Sequence, residues 1–375
     1  MDKSLVENYE LINKKAKIKI IILSILSIVL FIISAVFITL FILEKTNDEE
    51  SSEIVPSLTL WNDCELKNKL VNYVQKITKE GSKDFVEKED RIAVFDFDGT
   101  LFQETDPVYT DFKLYKYRVL DDPTYISKAT DEQISVAKEI EELMETGVYH
   151  EGLDLRHAKV NAEIFGNMTI EESDNYIKDF MNQPAEGYNN LKRGDAFYKP
   201  MLQVVEYLQK NDFIIYILSG SDRYLVRAII DGHVNIPSNY IIGTDAGVIA
   251  THQGDIDGLN YIYRKDDELI FQGKLIVKNL QMNKVQHIIR EIGKTPLLSF
   301  GNSNGDSSMA NYVITNKKYE GLSFMLLCDD TTRENGNPQK AQNMKEQCNE
   351  NGWIPVSMKD DWKTIYGDDV KKKNN

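Results

Sequence analysis

The chain has 375 residues, of which 42% are hydrophobic and 27% charged. That balance excludes a wholly disordered protein and leaves ample apolar surface for a core. Its formal net charge is −15; the first nineteen residues contribute +2, so the remainder carries −17, a poor basis for binding DNA or RNA through phosphate neutralisation. The three cysteines, Cys64, Cys328 and Cys348, exclude a disulfide-rich scaffold, match no zinc spacing and allow at most one intrachain disulfide.

In chain order, residues 1–19 form a basic N-terminus, and residues 20–43 contain no charge and consist mainly of Ile, Leu, Val and Phe. As a helix the run would span about 36 Å at 1.5 Å per residue, enough to cross a bilayer core of roughly 30 Å. It is longer than the apolar part of a signal peptide, and Glu44-Lys45-Thr46-Asn47 offers no small-residue cleavage site, so an uncleaved single-pass anchor is expected. Lys14, Lys15, Lys17 and Lys19 precede the run and Asp48, Glu49, Glu50 and Glu53 follow it. The positive-inside rule then puts the N-terminus in the cytoplasm and the remainder outside. Residues 44–57 read as an acidic linker.

Beyond it, Leu66, Leu70, Tyr73, Val74 and Ile77 recur at helical spacing. Short apolar strands are predicted at Ile92–Phe95, Phe213–Leu218, Leu297–Phe300 and Ser323–Leu327, with helices at Met201–Gln209, Tyr224–Ile230, Lys284–Glu291 and Ala341–Gln347. Alternating strands and helices imply an α/β fold, a Rossmann-like parallel sheet with helices on both faces. Residues 103–197 break the alternation: helical patterning, no convincing strand, and capping boxes at Thr130-Asp131-Glu132-Gln133 and Thr169-Ile170-Glu171-Glu172. They read as an inserted α-helical cap, dividing a catalytic core of residues 58–102 and 198–370. Val248–Val277 reads as an extra hairpin, and Trp353 and Trp362 as part of a C-terminal segment packed on the core.

Four segments carry chemistry. Asp96-Phe97-Asp98-Gly99-Thr100 follows the first strand, where open α/β sheets place their ligands. Leu218-Ser219-Gly220-Ser221 ends the second strand and leads into a helix, offering a hydroxyl and backbone N–H groups to a phosphate. Lys284 opens the helix before the third strand, and Gly301-Asn302-Ser303-Asn304-Gly305-Asp306 follows that strand, with the oxygen-bearing side chains of Asn302 and Asp306 four residues apart on one loop. Glu104, Asp106, Tyr109 and Arg118 lie close enough after the first motif to touch substrate, though a polar hinge is an equal reading. His157 reads as structural. Neither G-x-G-x-x-G nor a Walker A sequence occurs, so no nucleotide cofactor is expected.

Taken together the four segments resemble the haloacid dehalogenase superfamily, whose phosphatases use D-x-D-x-T, a strand-end Ser or Thr, a Lys and an acidic loop. The G-N-S-x-G-D-x-x-M form of the last motif is similar to that of bacterial acid-phosphatase-like and phosphoserine-phosphatase-like hydrolases with a helical cap. The resemblance runs from about Trp61 to Asp369. It departs at Asn302, where many members carry Asp.

What it implies is a Mg²⁺-dependent phosphomonoester hydrolase acting on a small-molecule phosphate ester. Asp96 would attack phosphorus to form an aspartyl-phosphate, and Asp98 would serve as general acid and then base. Ser219, Gly220 and Lys284 would hold the phosphoryl group, while Asp96, the Asp98 carbonyl, Asn302 and Asp306 would ligate the metal. A binding or sensing module without turnover, or a phosphotransferase to an acceptor other than water, shares the same residues. The substrate has no legible signature.

Overall fold

The computed structural model describes residues 14, 15, 19, 26, 27, 30–39, 58–104 and 108–373. The chain divides into two compact units, residues 1–55 and 56–375. In the first, residues 30–39 are helical and their apolar side chains are exposed, Phe31 by 77% and Phe37 by 70%. Among the described residues no helix is long and apolar enough to cross a membrane. Half of the span expected over residues 20–43 lies outside them, as do the whole acidic linker and Asp106.

The second unit opens with α1 (Glu65–Thr78), which buries Leu70, Tyr73, Val74 and Ile77, the apolar stripe read from the sequence. β1 (Ile92–Phe95) is buried throughout. Four helices follow: α2 (Thr110–Lys116, continued by a π-helical stretch to Asp121), α3 (Asp131–Thr146), α4 (Leu153–Ile164) and α5 (Ile170–Met181). Both capping boxes form: Thr130 accepts from Gln133 N–H and Thr169 from Glu172 N–H, and each partner side chain accepts from the N-cap backbone. After the short β2 (Tyr188–Asn189), the chain alternates through α6 (Lys199–Lys210), β3 (Ile214–Asp222), α7 (Arg223–Ile230), β4 (Ile241–Ala250) and β5 (Leu269–Val277). It ends through α8 (Met282–His287), β6 (Leu298–Gly301), α9 (Ser307–Ile314), β7 (Leu322–Leu327), α10 (Pro338–Asn351), β8 (Ile354–Ser357) and β9 (Lys371–Lys372).

Seven strands form one sheet in the order β5-β4-β3-β1-β6-β7-β8, parallel except for the antiparallel β4–β5 pair. β1 is central, so its C-terminal end opens between β3 and β6. Cross-strand register aligns Phe95, Phe300 and Phe324, whose rings stack at centroid distances of 4.3 and 4.9 Å. Each such pair contributes about 0.5–1.5 kcal/mol beyond its buried area, and the column fixes the heights of β1, β6 and β7 relative to one another. The hairpin predicted over Val248–Val277 is real, but its first strand begins at Ile241 and pairs parallel with β3. It also packs on the segment between β1 and α6: Asn167 N–H donates to Phe271 O, and Phe271 N–H to Met168 O.

Candidate active site

The strand order puts three of the four motifs at one end of the sheet. Asp96 follows β1 and donates its N–H to Phe300 O, continuing the β1–β6 ladder to the edge of the site. The next two residues leave the sheet in a tight turn in which Gly99 donates to Phe102 O. Gly99 has φ +75° and a Cβ there would lie 1.9 Å from Asn302 Nδ2, so only glycine lets the first and last motifs approach this closely.

Asp96 is 7% exposed and Asp98 8%. Lys284 donates to Asp96 Oδ1 and to Asp306 Oδ1, each at 2.5 Å. Burial disfavours its charge, but the Asp306 and Asp96 carboxylates outweigh that and raise its pKa. Burial and the nearby Asp306 raise the Asp96 pKa, with Lys284 opposing. Asp306 Oδ2 accepts from the N–H groups of Asn302 (3.0 Å) and Ser303 (3.1 Å). Both Asp306 oxygens are thereby engaged, whereas Asp96 Oδ2 and the Asn302 side-chain amide make no hydrogen bond among the described residues.

The β3 end is arranged differently from the sequence expectation. The β3–β4 register shifts between Leu218 and Asp222, and bulges re-aim side chains beside active sites. Ser219 is fully buried, its Oγ accepting from Ser221 N–H at 3.0 Å, and the cavity wall is formed by Gly220 and Ser221. The Ser221 hydroxyl donates to Asp98 Oδ2 at 2.7 Å. Burial pushes Asp98 up to about 7, with Ser221 opposing.

The four motifs thus converge on one cavity of about 550 Å³, lined by Asp96, Asp98, Gly220, Ser221, Lys284, Asn302 and Asp306 among others. A family model described as haloacid dehalogenase-like hydrolase matches residues 93–311, more than half of the chain. The chain belongs to the haloacid dehalogenase-like hydrolases.

Solved structures resemble this hydrolase at low identity. A conserved protein of unknown function from Anaerococcus prevotii DSM 20548 aligns over 78% of this chain and 91% of its own, at 15% identity and TM-score 0.48. Cytosolic 5'-nucleotidase IIIB bound to cytidine aligns over 82% and 91%, at 13% and 0.47. A phosphoserine phosphohydrolase-like protein from Francisella tularensis subsp. tularensis SCHU S4 aligns over 68% and 92%, at 15% and 0.37. No curated protein matches the chain.

In this hydrolase Tyr109 lines the cavity, with Glu104 behind it accepting from the Tyr109 hydroxyl at 3.4 Å and paired with Lys340. Arg118 is elsewhere: its guanidinium packs on the rings of Tyr125, Phe165 and Tyr176 and donates to Ile164 O. His157 is fully buried against Phe112 and Tyr115, in keeping with a structural role. Sequence reasoning missed Lys278, Asp111 and Lys340, which line the cavity. Lys278 ends the hairpin and Lys340 starts a surface-like helix, so neither carries a motif.

The one group of three acidic or histidine side chains close enough to share a metal, among the described residues, is Asp245, His287 and Glu291. Arg223 already occupies it, donating to both Asp245 oxygens (2.5 and 2.8 Å) and both Glu291 oxygens (2.9 and 2.8 Å). At the cavity floor the available donors are instead the second Asp96 oxygen and the Asn302 amide, with no His or Cys. That hard-oxygen set fits Mg²⁺ and not zinc.

Proposed function

We propose that the protein hydrolyses phosphomonoesters through an aspartyl-phosphate on Asp96. The observation that carries this reading is the pairing of two buried carboxylates with separate partners in one cavity: Asp96 with Lys284, Asp98 with Ser221. An Asp96 oxygen attacks phosphorus while the bond to the leaving oxygen breaks and Asp98 supplies that oxygen with a proton. Asp98, now ionised, takes a proton from water as the water oxygen attacks phosphorus, and the bond to Asp96 breaks. An Asp98 pKa of about 7 suits a group that must give and regain a proton near neutrality. Lys284 balances charge on Asp96 and on the phosphoryl oxygens, and Gly220 and Ser221 form the cavity wall on the β3 side.

Asp96, the Asp98 carbonyl and Asn302 would hold Mg²⁺, which when bound offsets the repulsion between the carboxylate and the phosphate ester. Asp306, with both oxygens engaged, orients Lys284 and the loop bearing Asn302. Residues 103–197 act as the cap over residues 58–102 and 198–370. The uncharged run at 20–43, with lysines before and acids after, supports a single-pass anchor with this unit outside the cytoplasm.

The test is metal-dependent phosphate release from p-nitrophenyl phosphate by the full-length chain. Asp96→Asn is expected to lower kcat by about 10³-fold or more. Wild-type turnover no greater than that of Asp96→Asn, with Mg²⁺ present, would reject hydrolysis and leave a binding module.

A further inference from the structure

The cavity holds a second cation that no step of the hydrolysis uses. Lys278 directly follows β5, where the backbone is fixed: its carbonyl accepts from Leu280 N–H at 3.0 Å and from Asn283 Nδ2 at 2.8 Å. The next residue, Asn279, is fully buried and donates through its N–H to Thr244 Oγ1 (3.1 Å) and through Nδ2 to Ser219 O (3.0 Å). From this rigid base the half-buried Lys278 side chain reaches the cavity, and its ammonium donates to Gly220 O at 2.9 Å. An ammonium has three donors, and Gly220 O is the single acceptor that the described residues give this one.

The other lysines of the cavity are placed differently. Lys284 is in ion-pair contact with Asp96 and Asp306, and Lys340 with Glu104. Among the described residues Lys278 has no carboxylate in such contact, and its charge acts at longer range. Burial pushes Asp111 up to about 6, and Lys278 is the first charge to oppose it. The same ammonium also opposes, behind Ser221, the rise that burial causes at Asp98. Lys284 thus serves the nucleophile, whereas Lys278 is tied to the strand end that carries Ser221, the partner of Asp98. Asp98 delivers its proton to the leaving oxygen, so a cation whose field reaches Asp98 and Asp111 stands on the leaving-group side. Charge-assisted hydrogen bonds from such an ammonium to carboxylate or phosphate oxygens are strong ones. Asp111, 4% exposed at the start of α2, repels the same anion and limits the gain.

We propose that the alcohol released from the substrate carries an anionic group, a carboxylate or a second phosphate, which Lys278 receives while the ester phosphate occupies the Asp96 site. The inference rests on the phosphomonoesterase reading and narrows it. Lys278 acts here in binding, and touches none of the reacting atoms.

The test compares esters that differ in the charge of the alcohol, using the full-length chain with Mg²⁺. Carboxyethyl phosphate is set against its amide, carbamoylethyl phosphate, and propanediol bisphosphate against hydroxypropyl phosphate. Wild type is expected to favour the anionic member of at least one pair by about tenfold or more in kcat/KM, a difference of about 1.4 kcal/mol. The pair that shows it tells a carboxylate from a phosphate. Lys278→Gln is expected to bring that ratio towards one; damage to the fold would lower both members alike and leave the ratio where it was. Asp111→Asn removes the opposing charge and is expected to raise the ratio. A wild-type ratio near one in both pairs, a ratio that survives Lys278→Gln, or one that falls in Asp111→Asn overturns the inference and leaves the phosphatase reading standing. So does turnover of none of the four while p-nitrophenyl phosphate is still hydrolysed. Failure to hydrolyse any ester, the aryl phosphate included, removes both.

Discussion

Ser221 holds the proton balance of the site. Its hydroxyl donates to Asp98 Oδ2, a bond that favours the carboxylate over the acid and opposes the upward pull of burial. Asp98 must be protonated to assist an alkoxide leaving group, so activity towards alkyl phosphates is expected to fall as pH rises through about 7. Ser221→Ala removes the bond that lowers the pKa, and the alkaline limb of the kcat/KM profile should move to higher pH by about one unit. A limb that stays in place or moves to lower pH in that variant contradicts the assignment of Asp98 as the acid. At this scale Asp96, Asp98, Lys284 and Asn302 were legible because their chemistry needs those residue types in that order. The sequence pointed to Ser219, whereas Ser221 lines the cavity, since a bulge shifts which side chain reaches it and leaves no mark in composition.

Among the elements, the helix bearing Lys284 needs an anchor of its own. α8 spans only Met282–His287 before continuing as a π-helical stretch from Ile288 to Ile292, and such stretches hold together poorly without tertiary support. Arg223, the first residue of α7, supplies it by donating to Glu291 and at the same time to Asp245 on β4. His287 adds a second tie, its Nδ1 bonded to Asn279 Oδ1 at 2.8 Å, while Asn279 Nδ2 donates to Ser219 O at 3.0 Å. The strand-end serines and the helix bearing Lys284 are thus braced through one polar network. Arg223→Met would leave two carboxylates, 25% and 32% exposed, without their cation. The expected loss is about 2 kcal/mol, below the range for fully buried pairs because water can still reach both acids. A drop in Tm of about 3 °C should follow, and kcat should fall with it; an unchanged melting curve would show that the network contributes nothing.

At the scale of the whole molecule, the alternation of apolar runs and helical stripes was enough to give a parallel sheet, and paired capping boxes marked the helices between β1 and α6. What escaped was weakly apolar or at an edge: β4 opens Ile241-Ile242-Gly243-Thr244-Asp245, and β8 carries Pro355, tolerated because β8 ends the sheet. Charge is legible without any structure. The chain carries a formal net charge of −15, yet its site must admit an anionic phosphate. Lys284, the other cavity lysines and a bound cation act within a few ångströms, whereas the net charge acts over a Debye length of about 30 Å at 0.01 M salt and about 10 Å at 0.1 M. Approach of a dianionic ester is therefore governed by repulsion that salt removes. Raising NaCl from about 0.01 to 0.1 M, at saturating Mg²⁺, should increase kcat/KM for p-nitrophenyl phosphate by about two- to fivefold. A fall in kcat/KM with salt would mean that local positive potential reaches beyond the cavity mouth and outweighs the charge of the rest of the chain.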